Sequence, residues 1–216
     1  MSMAKDKVFF KIVTVSNFKN FTDASESVQK FWVDKSQRLG YKEPDKSYQE
    51  RAGIYAEFAQ VVGVGIAFEK KGEFRFKFIH AKDERTLLTD LANLLNEKFN
   101  PAKYQLCGYN IREFDVPFLS RRLLINNIEL PSMIKVSSTK PWDYPHIELL
   151  DFWKFGDHKS YIPMELMCNV LQVVYSPVCD SVELRWFYFS KDFLQIEEYI
   201  HGELSTMNRL IQRFYP

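Results

Sequence analysis

The chain has 216 residues, 46% hydrophobic and 26% charged, which excludes the polar, highly charged regime of disordered chains and suits one domain spanning residues 1–216. Lysine plus arginine number 29 against 28 acidic residues, a net charge of +1. No global field therefore draws the protein to DNA, RNA or an anionic membrane, and any nucleic-acid site has to be local. Cys107, Cys168 and Cys179 are odd in number and form no CxxC pair, which argues against a disulfide framework or a cysteine metal site and points to the reducing cytoplasm.

In chain order, Val8 to Val15 is apolar except at Lys11 and Thr14, the pattern of a central strand covered on both sides. It is followed by no small-residue cleavage site, and the longest uncharged apolar stretch, Phe58 to Phe68, is too short to cross a bilayer, so neither export nor membrane anchoring is expected. Ala24 to Leu39 reads as a helix, followed by a charged loop through Pro44 that ends near Tyr55, a candidate flexible segment. Phe58 to Phe68 and Glu73 to Ile79 read as strands joined by Lys70, Lys71 and Gly72, an antiparallel hairpin. Asp83 to Phe99 carries a helical leucine stripe, and Tyr104 to Tyr109 is a further buried strand.

The next helix starts at Asp115, with Pro117 in its first turn. Pro131, Pro141 and Pro145 mark an irregular region that reaches to Tyr161. Pro163 to Val173 suggests a short helix, and Lys191 to Phe214 a long helix or a broken pair. This succession indicates an α/β domain with a mixed sheet.

Three places break local rules. Lys11, in the middle of an apolar central strand, needs a buried anion or a lowered pKa; otherwise it snorkels to the sheet edge. Asn110 and Asp115 lie where a strand end turns into a helix, the edge at which ligands gather, although Asp115 also suits a plain helix N-cap. Tyr199 and Glu203 share a face of the last helix near the stripe Ile196, Ile200, Leu204 and Met207. A carboxylate there is paired or metal-linked, or it reaches solvent from the margin of the stripe. The four histidines show no i, i+3 or i, i+4 pairing and suggest no metal role.

Five segments carry a resemblance to a known family: Val8-Phe-Phe-Lys-Ile-Val-Thr-Val, Arg51-Ala-Gly-Ile-Tyr-Ala-Glu-Phe, Leu106-Cys-Gly-Tyr-Asn-Ile-Arg-Glu-Phe-Asp-Val-Pro-Phe-Leu, Phe152-Trp-Lys-Phe-Gly-Asp and Tyr199-Ile-His-Gly-Glu. Together they resemble the predicted 3′–5′ exonucleases related to the proofreading domain of B-family DNA polymerases, of the DEDD type. The resemblance implies a ribonuclease-H-like mixed β-sheet flanked by α-helices. It also implies four carboxylates holding two Mg2+ or Mn2+ ions, which activate water for phosphodiester hydrolysis, beside a tyrosine that orients the water.

In this alignment Lys11 stands where the family has an Asp and Val13 where it has a Glu. Asp115 and Tyr199 match, and Glu203 replaces the final Asp. The charge of the ligand set changes from −4 to −1 (Lys11 +1, Val13 0, Asp115 −1, Glu203 −1). The expectation is a degenerate site with Asp115, Tyr199 and Glu203 at its catalytic positions, no metal cofactor, and Lys11 paired with Asp115 and Glu203. Pro177 to Trp186 is shortened and altered against the family pattern.

The leading expectation is a catalytically impaired exonuclease-type domain that binds single-stranded DNA or RNA. Asn110, Arg112, Arg121 and Arg122 are its nucleic-acid candidates. Aromatic and basic residues also interleave from Lys135 to Tyr161, including Lys140, Trp142, Tyr144, Trp153, Lys154 and Lys159, either as a nucleic-acid surface or as a loop packed by its own rings. A second expectation is an active nuclease that uses Mg2+ or Mn2+ with Glu148, Asp151 or Asp157 as substitute ligands. A third is a protein-interaction module on the same fold, with an exposed apolar patch and no basic groove.

Overall fold

The computed structural model describes residues 5–136, 143–157 and 159–215. Of the residues singled out above, Lys140, Pro141, Trp142 and His158 lie outside this range. A five-stranded mixed sheet forms the centre, in the order β3-β2-β1-β4-β5: β1 (Asp6–Ser16), β2 (Ala59–Lys70), β3 (Glu73–Ile79), β4 (Tyr104–Gly108) and β5 (Ile147–Glu148). β1 pairs with β2 antiparallel and with β4 parallel, which puts it at the middle of the sheet, as its two-sided apolar pattern requires.

The two faces of β1 belong to different cores. Val8, Phe10 and Ile12 pack with α3 (Glu84–Lys98) and α4 (Val116–Ile125). Phe9, Val13 and Val15 pack with α5 (Leu149–Lys154), α6 (Met164–Leu171), α7 (Ser181–Phe189) and α8 (Phe193–Phe214). Helices thus cover both faces of the sheet, the α/β arrangement read from the order of elements.

α8 is one unbroken helix that buries Ile196, Ile200, Leu204, Met207 and Leu210 against β1 and β2. Its close approach depends on Gly65, which lies opposite Lys11 in the β1/β2 register. A Cβ at Gly65 would stand 2.0 Å from Ile200 Cγ2.

The structure corrects three expectations. The loop through Pro44 is not a free segment but a second helix, α2 (Pro44–Arg51), after α1 (Glu26–Arg38). Trp32 of α1 is fully buried; its Nε1 donates to the Pro44 carbonyl at 2.9 Å, and its ring meets Tyr48 edge-on at 5.4 Å. With Phe21, Ala52 and Phe58 these side chains form a third small core. The stretch read as irregular up to Tyr161 contains β5 and α5. The altered region after Pro177 holds α7, capped by Asp180, whose carboxylate accepts from Val182 N and Glu183 N. Finally, α4 begins one residue past Asp115, behind a π-helical turn over Ile111–Asp115.

Candidate functional site

β4 has only five residues against eleven in β1, and its pairing with β1 ends at Phe9 opposite Cys107. The later part of β1 therefore lacks a strand partner on that side. Past Gly108 the chain turns through Asn110, a left-handed residue at φ 58°, into the wide turn Ile111–Asp115. Glu148 at the end of β5 holds this turn: its carboxylate accepts from Asn110 N at 2.7 Å, Arg112 N at 3.1 Å and Leu150 N at 3.1 Å.

The turn delivers Asp115 over β1. Asp115 is fully buried, and its Oδ1 accepts the Ile12 N–H at 2.9 Å, a backbone donor that β4 is too short to reach. The residue does not cap its own helix: its backbone is already helical and its side chain makes no cap hydrogen bond. The plain N-cap alternative is therefore corrected.

Lys11 Nζ lies 3.6 Å from Asp115 Oδ2, with side-chain exposures of 16% and 1%. Oδ2 has no hydrogen-bond partner, so the ammonium is its counter-charge. Lys11 thus turns inward rather than snorkelling. Burial pushes its pKa down, but Asp115 and then Glu203 outweigh burial and leave it raised, so the lysine is charged. Burial raises Asp115, and Lys11 and the Ile12 N–H oppose that rise.

Glu203 and Tyr199 complete the cluster from α8. Glu203 is buried rather than reaching solvent; burial raises its pKa, Lys11 lowers it and Asp115 raises it. Burial and then Glu203 hold the Tyr199 hydroxyl well above its ordinary value, so it is neutral. Glu203 acts on Lys11 electrostatically, but the ion pair within 4 Å is with Asp115.

Over this cluster lies a cleft of about 390 Å³ whose lining includes Lys11, Val13, Phe114, Tyr161, Arg185 and Tyr199. Arg185 escaped the sequence reading, since it lies in the segment read only as altered. It ties α7 to β1 through Ser16 Oγ at 3.2 Å and the Lys19 carbonyl. These acceptors are neutral, so its charge is not cancelled. Glu148 was read only as a substitute ligand; the signal for its role as holder of the Asn110 turn was its place just ahead of a helix, as an N-cap.

The four nucleic-acid candidates do not gather. Arg122 is corrected outright: it is buried, paired with both carboxylate oxygens of Glu84, and donates to the Ala56 carbonyl at 2.7 Å. It is a packing residue and cannot face a phosphate. Arg112 is held by Asp151 at 2.6 Å, Arg121 stands exposed on α4, and Asn110 is fixed through its N–H by Glu148. Of the interleaved stretch, Trp153 packs against the α8-side core and Lys154 is buried, while Tyr161 alone among the described residues named there lines the cleft.

The residues present do not fit a two-metal centre. An ammonium rests on Asp115 where a cation would have to sit, Val13 is apolar and buried, and Glu148 is committed to three backbone donors. Among the described residues no three His, Cys, Asp or Glu side chains gather to hold an ion. Asp151 and Asp157, the other substitutes considered, serve Arg112 and the Lys159 N–H.

Comparison with curated proteins and with solved structures gave no match. A family model of the RNase H superfamily matches residues 49–166, a span that starts in α2, contains β2 to β5 and Asp115, and ends in α6, leaving out Lys11, Tyr199 and Glu203. That span is more than half of the chain, and it covers four of the five strands of the sheet and the Asp115 turn described above: the chain belongs to the RNase H superfamily.

Proposed function

We propose that this chain is a 3′–5′ exonuclease-type domain of the superfamily, of the DEDD kind related to B-family polymerase proofreading domains, in which hydrolysis has been lost and binding of single-stranded DNA or RNA retained. It acts as one domain in the cytoplasm, where its three free cysteines stay reduced. The Lys11–Asp115 ion pair carries this reading. A fixed ammonium satisfies the buried carboxylate that a divalent ion would otherwise bind, and it repels such an ion at the same time. The cleft over it keeps what a nucleotide contacts, with the rings of Phe114 and Tyr161 for bases and the Arg185 guanidinium for phosphate.

The superfamily supports a nuclease-like ancestry, and the side chains of Lys11 and Val13 support its loss. Calorimetric titration tests this. Mg2+ and Mn2+ should give no binding heat with the unaltered protein, and Lys11→Asp combined with Val13→Glu should create Mn2+ binding. Tight Mn2+ binding by the unaltered chain, or Mn2+-dependent shortening of an oligonucleotide from its 3′ end, would refute the proposal.

A further inference from the structure

A cleft larger than the one over Lys11 lies elsewhere on the protein. A groove of about 730 Å³ opens at the opposite end of β1, between the β2–β3 hairpin, the chain entering β4 and the end of α8. Lys5, Lys7, Lys70, Lys71 and Lys103 line it against only two carboxylates, Asp6 and Glu69. Its charge of +3 exceeds the +1 of the whole chain, so the rest of the protein is net acidic and this is a concentrated local field. None of the five lysines forms an ion pair among the described residues.

Three further features bear on the occupant. Lys71 occupies the left-handed region at φ 55° beside Gly72 at φ 78°, a turn position that favours Asn or Gly over lysine. Phe68, Tyr104 and the exposed Tyr215 bring rings among the ammonium groups, and Lys103 Nζ already rests 5.4 Å from the Tyr104 ring centre. Besides Asp6 and Glu69, the opposing field is the C-terminal end of α8, worth about half a negative charge and screened within a turn. Lysines spaced along a concave groove with rings between them match alternating phosphates and bases. A flat membrane surface needs no groove, and an acidic peptide needs no rings.

We propose that this lysine groove is a second site that takes the backbone of single-stranded nucleic acid, separate from the Lys11 cleft and independent of whether that cleft has lost its metals. The two lie on the same sheet face. Lys7 and Lys11 are four residues apart along β1, about 13 Å, with the buried Phe9 and the packed α8 between them, so the groove and the cleft are distinct openings.

The test is fluorescence anisotropy of a labelled single-stranded oligonucleotide titrated with the full chain at two salt concentrations. The variant Lys7→Gln, Lys70→Gln, Lys71→Gln, Lys103→Gln changes only exposed side chains, and its melting temperature checks that the fold is kept. Binding should weaken at least tenfold, and the slope of log K against log salt should become shallower by about 0.7 per lysine removed. Binding equal to the parent's, or no binding by the parent, overturns the proposal. So does loss of all binding in Arg185→Gln alone, which would assign it to the Lys11 cleft. Vesicles containing phosphatidylserine and a polyglutamate peptide form the other arms, and equal or tighter binding to either refutes a nucleic-acid site. Metal titration does not probe this groove, so each proposal can fail without the other.

Discussion

Replacing Lys11 with methionine keeps most of the side-chain volume and removes the charge, so it measures what the ammonium does for Asp115. At 3.6 Å the attraction is worth about 5 kcal/mol at an effective dielectric of about 20. Breaking a buried pair from one side costs about 3–5 kcal/mol, because the remaining charge is stranded. Asp115 Oδ2 has no hydrogen bond to fall back on, so about 3 kcal/mol is expected near pH 8. For a chain of this size that corresponds to a melting point lower by about 6–12 °C.

The loss should depend on pH in a definite direction. Burial already raises the Asp115 pKa, and Lys11 opposes it, so in Lys11→Met it rises further above the unfolded value of 3.8. The folded state then binds a proton that the unfolded chain releases. The deficit is full above the folded pKa and shrinks as pH falls towards 3.8. Urea unfolding of parent and variant at a series of pH values reads this directly. In Lys11→Met with Asp115→Asn much of the loss should return, since no charge is left stranded. A variant as stable as the parent at pH 8, or a deficit that does not change with pH, would show that the pair does not act as described.

Gly65→Ala should cost about 1–3 kcal/mol, because its Cβ overlaps Ile200 Cγ2 and stands 2.9 Å from Leu204 Cδ1. Urea midpoints of the single variants and of the double variant with Ile200→Ala should show less than additive loss; simple additivity would place the strain elsewhere. His146 accepts the Leu106 N–H on Nδ1 at 3.2 Å, and burial lowers its pKa from 6.5 to about 4. Its stabilising effect is therefore full above pH 6.5 and lost as pH falls to about 4, at most about 3 kcal/mol. In His146→Gln that acid dependence should be absent from the unfolding curves; its persistence would assign it to another group.

The sequence made the centre of this site visible because a charge in a buried position is a conflict that only tertiary structure resolves. Lys11 in an apolar strand demanded an anion, and the stripe on the last helix brought Glu203 inward. The identity of the anion, Asp115, 104 residues further along the chain, followed from the family resemblance that aligned both positions, since no local pattern contains it. Local reading failed where one anchor decides the conformation. α2 has a wholly polar look because Tyr48 is its single large buried side chain, and Trp32, far upstream, receives it. β5 is two residues long, too short for any period to register. Arg122 looked free to meet phosphate because Glu84, its partner, lies in another helix. The lysine groove was missed for a similar reason: four separate chain segments assemble it, and none alone carries more than an ordinary few charges.

The short reach of β4 has a practical bearing on how activity at this site should be assayed. Because Asp115 accepts the Ile12 N–H that no strand covers, truncating it to alanine removes an acceptor from the middle of the central strand. Loss of any signal in Asp115→Ala would then report a loosened β1 as readily as a missing reactive group. Asparagine at this position preserves an oxygen for that amide, and so distinguishes a residue that fastens the sheet from one that takes part in hydrolysis.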